Sequence, residues 1–156
     1  MSPTNRTIRP TFFCTLLGLS VITFSVVSSC TSSGPVHVSV LGNENMNSGY
    51  PIRVFLYKLK NDTNFMRVSP ESFWGEGEKE FAGDLVEPGI EIMLAPGDTV
   101  WKTLQVSKDT NYIGAAADFR KPDNKGWRLV CDLTVKRPKE IWLTVSSNRI
   151  EIEKTK

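Results

Sequence analysis

Thiol and imidazole chemistry is scarce in this chain of 156 residues, which carries three cysteines, Cys14, Cys30 and Cys131, and a single histidine, His37. A zinc site needs several Cys, His or carboxylate donors converging on one point. His37 has no second His or Cys at ligand spacing, and its alternation with Ser39 reads as one face of a strand. A serine hydrolase would need a Gly-x-Ser-x-Gly elbow, and the sequence has none. The aspartates beyond the leader (Asp62, Asp84, Asp98, Asp109, Asp118, Asp123 and Asp132) are too scattered for a calcium ladder. A carboxylate pair assembled only in the fold, as glycosidases use, stays open at this level. The expectation is a protein with no catalytic residue, no metal and no cofactor beyond covalent lipid.

Cys30 is the residue whose setting points to chemistry. It follows a leader with Arg6 and Arg9, then an apolar stretch of about sixteen residues from Phe12 to Val27, and sits in Val27-Ser28-Ser29-Cys30. A spanning helix needs roughly 20 apolar residues. This stretch is shorter and is diluted by Thr15, Gly18, Ser20, Thr23 and Ser25, so it reads as a signal h-region. Small Ser28 and Ser29 suit a peptidase cut, and the segment resembles a lipobox. That resemblance implies diacylation of the Cys30 thiol, removal of residues 1–29, and three acyl chains on the mature protein. One chain holds only marginally, whereas three anchor firmly. Thr31 stands where an Asp would signal retention in the inner membrane, so the expected address is the outer membrane, facing the periplasm.

Loss of residues 1–29 removes Arg6 and Arg9 and no acidic residue, leaving 17 basic against 17 acidic side chains. A balanced charge gives no nucleic-acid footprint and no polybasic membrane patch. The remaining 127 residues suit one domain with one core. With Cys14 removed and Cys30 acylated, Cys131 is left alone and an intramolecular disulfide is unavailable. Cys131 alternates with Trp127, Leu129, Leu133 and Val135, which reads as a small hydrophobe on a buried strand face.

These residues must be positioned largely by strands. Residues 30–35 form a lipidated tether, and residues 36–156 form the domain, in which Val36, Val38 and Val40 give a first strand with the period of two. The segment from Gly42 to Pro51 leads to a second strand, Ile52 to Leu59, apolar on both faces and therefore in need of a cover. The cover is an insertion over about 62–86. Asn61-Asp62-Thr63 and Ser69-Pro70 supply helix-start signals, Phe73, Trp74, Phe81 and Leu85 recur at helical spacing, and Gly75 and Gly77 interrupt the run. Strands then continue to the end, with Pro96-Gly97 at the centre of a type II turn. Small residues Gly114 to Ala117 mark close approach by a neighbour. Phe119-Arg120 and Trp127-Arg128 read as core aromatics beside solvated charges. Eight strands and one helical insertion predict an antiparallel β-sandwich. On such a frame the loop Asn43, Glu44, Asn45, Met46, Asn47, Ser48, Gly49 and Tyr50 reads either as a solvated connection, the commoner case, or as an adaptable binding element whose two apolar contacts are Met46 and Tyr50.

The order of these features resembles one family. Cys30, Ile52-Arg-Val-Phe-Leu-Tyr-Lys-Leu-Lys60, Asp62-Thr63-Asn64-Phe65, Ser72-Phe73-Trp74, Gly83-Asp84-Leu85, Leu94-Ala-Pro-Gly-Asp98, Tyr112-Ile-Gly-Ala-Ala-Ala-Asp-Phe-Arg120 and Trp127-Arg128 are together similar to the outer-membrane lipoprotein of the type VI secretion system, the TssJ family. The resemblance implies a transthyretin-like sandwich and a non-catalytic part of a trans-envelope complex. It implies docking of the periplasmic C-terminal region of the inner-membrane IcmF-like subunit, TssM, through the loop between the first two strands, here Asn43 to Tyr50. The alternative is a lipoprotein that binds a small ligand or glycan, with Trp74 or Trp101 free to stack on a sugar.

Overall fold

The computed structural model describes residues 33–156; the signal segment 1–29, Cys30 and the first tether residues lie outside them. Eight strands follow in order: β1 (Gly34–Gly42), β2 (Ile52–Leu59), β3 (Ile90–Leu94), β4 (Thr99–Val106), β5 (Tyr112–Ala117), β6 (Arg128–Asp132), β7 (Glu140–Val145) and β8 (Ile150–Thr155). They form two four-stranded sheets, ordered β4-β1-β7-β8 and β3-β2-β5-β6. Every pairing is antiparallel except β1 with β7, which runs parallel with His37 opposite Glu140 and Gly42 opposite Val145.

Alternation explains the core. Val36, Val38 and Val40 are wholly buried and face Ile141 and Leu143 of β7 and Leu104 of β4 in register. Val54, Leu56 and Ile92 close the core from the second sheet. β1 takes in Gly34 and Pro35, which the sequence assigned to the tether. Pro35 is tolerated because at that level β1 pairs only with β4; pairing to β7 begins at His37.

The second apolar face of β2 is covered as its pattern requires. Helices α1 (Thr63–Arg67) and α2 (Pro70–Glu76) are followed by a 3-10 segment, Gly77–Asp84, and cross the outer face of the β3-β2-β5-β6 sheet. Ser69 accepts from the Ser72 amide and Pro70 occupies the first turn, whereas Gly77, at φ 67°, ends α2. Phe65, Phe73 and Phe81 pack around Tyr57 with centroids 5.2–6.1 Å away. Gly114 gives room for this, since a Cβ there would stand 3.1 Å from the Phe65 ring. Trp127 packs edge-on to Phe73 at 4.9 Å.

β6 stops earlier than its apolar alternation suggests. Asp132 Oδ1 accepts from the amide and hydroxyl of Thr134 at 2.7 Å, turning the chain and leaving Val135 91% exposed.

Candidate docking surface

One end of the sandwich gathers four connections: residues 43–51, the Ala95–Asp98 turn, residues 118–127 and residues 146–149. Gly97, at φ 79°, lets that turn close, with the Asp98 amide donating to the Ala95 carbonyl at 3.1 Å. The Gly42 and Gly97 amides donate to the Asp98 and Gly42 carbonyls, tying β1 to the turn. The Asn43 amide reaches the Val145 carbonyl at 2.9 Å, and its side chain donates to Ser146 Oγ at 3.2 Å.

Within the β1–β2 loop, Met46–Gly49 forms a short 3-10 turn in which Asn47, Ser48 and Gly49 all have positive φ, at 46°, 61° and 81°. Such backbone persists for non-glycine residues only where its surroundings fix it. Met46 is wholly buried, with its sulfur 2.6 Å from where a Cβ on Gly42 would lie. Asn47 is also buried; it donates to the Pro51 carbonyl and accepts the Arg120 amide at 2.9 Å. The expected pair of apolar contacts is thus split. Met46 is a core plug, and Tyr50, half exposed, stands outside under the Arg120 guanidinium at 3.9 Å from its ring centroid. Ser48, Gly49 and Tyr50 are presented to solvent, as are Glu44 and Asn45. Met46 and Asn47 thus tie the middle of the loop to the sandwich, while its exposed residues flank them.

Arg120 was legible only as a solvated charge beside buried Phe119; no local signal places it over Tyr50. Arg128 departs further from that reading. It donates to the carbonyls of Phe65 at 2.6 Å, Val68 at 2.5 Å and Met66, and stacks over Trp127. Burial lowers its pKa from the ordinary guanidinium value.

Elsewhere the chemistry is sparse. Cys131 is buried, and burial first, with Asp132 adding to it, pushes its thiol pKa up. His37 Nδ1 meets Thr103 Oγ1 at 3.0 Å on the outer face of the first sheet. Among the described residues no group of three His, Cys, Asp or Glu side chains could hold a metal ion. No described helix is long and apolar enough to cross a membrane. Trp74 is packed on Phe55, Phe73 and Trp127 and is not free to stack on a sugar. Trp101 is 57% exposed, edge-on to Trp142 at 4.9 Å above small, buried Ser39.

A two-sheet sandwich with a helical cover and a knitted rim of loops defines a scaffold for binding. Residues 35–153 match the family model described as type VI secretion lipoprotein, VasD, EvfM, TssJ, and the chain belongs to that family of membrane-anchored secretion-system lipoproteins. Comparison with curated proteins gives no match. Among solved structures, the type VI lipoprotein TssJ1 from Pseudomonas aeruginosa is 26% identical with a TM-score of 0.70, covering 80% of this chain and 98% of that one. The Serratia marcescens Lip protein, a membrane-bound component of that secretion system, has the same fold at 19% identity and TM-score 0.71, over 79% of this chain and 98% of that one. A chain of a structure described as the TssM C-terminal domain from EAEC matches at 21% identity and TM-score 0.67, over 79% and 99% of the two chains.

Proposed function

We propose that this lipoprotein is held in the outer membrane by acyl chains on Cys30, faces the periplasm, and docks the periplasmic C-terminal region of TssM through the exposed part of the Asn43–Tyr50 loop. The observation that carries this reading is the direction of β1. The strand begins beside the tether and ends at the loop, and its nine residues span about 30 Å at roughly 3.3 Å each. The start of β1, next to the tether in sequence, and the loop therefore occupy opposite ends of the sandwich. A solved structure similar in fold is described as the type VI membrane complex, and another as the TssM C-terminal domain, which supports this choice of partner.

Tyr50 stacked with Arg120 has the residue types favoured at interface centres. The test is the affinity of the intact lipoprotein for the periplasmic region of its TssM subunit, with Tyr50→Ala and Arg120→Ala beside wild type. Both side chains are exposed, so these variants keep the fold. A loss of about thirtyfold or more in affinity is expected for Tyr50→Ala. Unchanged binding by both variants moves the interface off this loop, and no binding by wild type removes the partner.

A further inference from the structure

One exposed connection of the sandwich concentrates basic side chains around a projecting apolar one. At the tether end of the sandwich, the β6–β7 connection reads Val135-Lys136-Arg137-Pro138-Lys139, with no acidic residue. Val135 projects into solvent at 91% exposure, and Lys136 and Lys139 are exposed beside it. The Lys139 amide donates to the Lys156 carbonyl at 2.6 Å and the Lys156 amide to the Glu140 carbonyl at 3.0 Å, which sets two lysines side by side at the sheet end. Arg137 donates to the carbonyls of Ser107 and Thr110, bringing the β4–β5 connection with Lys108 against the same end. Acidic side chains share this end: Asp132 keeps its charge while Thr134 bonds it, and Glu140 pairs with Lys156 at 4.0 Å, which leaves Lys136 and Lys139 as the exposed cations beside Val135. Asp109 and Asp62 also lie at this end, Asp62 near Tyr112 together with Asp132.

We propose that this end of the domain rests on the bilayer, with Val135 dipping among anionic phospholipid headgroups and Lys136 and Lys139 pairing with their phosphates. The inference depends on the proposed acylation of Cys30. Only Thr31, Ser32 and Ser33 separate that cysteine from β1, so whatever path they take, Gly34 stays within about 14 Å of it. That reach is comparable to the Debye length of about 10 Å, inside which basic side chains feel an anionic surface. Resting on its base would hold the sandwich upright and turn the Tyr50 rim away from the membrane.

The experiment uses the full lipidated protein on phosphatidylcholine vesicles with and without phosphatidylglycerol. A nitroxide is placed at Val135→Cys or, at the opposite end, at exposed Ser147→Cys; native Cys131 is buried and Cys30 carries lipid. Vesicle flotation reports the anchor, and accessibility to an aqueous nickel chelate reports contact. The expected result is a probe at position 135 shielded on anionic vesicles, a loss of that shielding on neutral vesicles and in Lys136→Glu/Lys139→Glu, and a probe at 147 exposed throughout. Floating protein with equal accessibility at both positions overturns the proposal while the anchor stands. Shielding that persists on neutral vesicles overturns its charge pairing, and failure to float removes the anchor and this contact with it.

Discussion

The Asp84 carboxylate caps a helix that begins twenty-one residues before it: Oδ2 accepts the Phe65 amide at 3.0 Å and the Asn64 amide at 2.8 Å. Asp84 Oδ1 also takes the Asn64 side chain at 3.1 Å. Arg128 holds the other end of α1 through the carbonyls of Phe65 and Met66 and of Val68 just past it. A five-residue helix is too short to persist unaided. It stands because an anion and a cation from distant segments satisfy its unpaired backbone groups.

Asp84→Ala should therefore lower unfolding free energy by about 2–3 kcal/mol, the range of a lost buried cap with charge-assisted bonds. Asp62, the residue at the start of α1, makes no side-chain capping bond. Asp62→Ala should cost less than about 0.5 kcal/mol. Equal losses in denaturant titrations would show that Asp84 is not the cap that matters.

Much of this architecture is legible along the chain because it is local. Val36, Val38 and Val40 announce a buried strand face, and Phe55, Tyr57 and Leu59 announce a covered second face on β2. Gly114 and its alanines announce the neighbour that presses on β5. What is not legible is set by contacts across long sequence separations. The parallel β1–β7 pair joins segments about a hundred residues apart. Arg128 caps carbonyls some sixty residues earlier in the chain, and Met46, in a polar loop, is drawn inward where Gly42 leaves a space for it.

That space makes Gly42 a control point for the β1–β2 loop. A Cβ there would stand 2.6 Å from Met46 Sδ and 2.8 Å from the Ala95 carbonyl oxygen. The thioether can shift, but the backbone carbonyl cannot shift without opening the turn. Gly42→Ala should destabilise the domain by about 1–3 kcal/mol, the usual cost of overpacking, and loosen the loop. Thermal unfolding and hydrogen exchange of the Asn47 amide read the two effects; unaltered exchange with a lowered Tm would separate the loop from the core.

Acid sensitivity has a definite direction at Asp132. The backbone bond from Thr134 first, and its hydroxyl second, hold this carboxyl below its ordinary value of 3.8. A depressed folded value stabilises the fold above the unfolded value and loses that contribution as pH falls through the folded one. Asp132→Asn should accordingly be less stable than wild type at neutral pH, with the gap closing below about pH 3.8. A gap that stays constant from neutral pH into acid would assign the loss to geometry alone.

The last prediction separates fold from anchorage. Every described strand and the helical cover lie beyond residue 33, and the expectation is that the fold does not depend on the Cys30 thiol. Cys30→Ser, exported behind a cleavable signal, should keep the wild-type unfolding midpoint and still bind TssM in solution. It should nevertheless be released from the membrane fraction and abolish secretion, because docking then has no fixed point to act against. Full secretion by this unlipidated variant would mean that the complex does not need the acyl anchor. Loss of the fold would instead mean that segments before Ser33 support the sandwich directly.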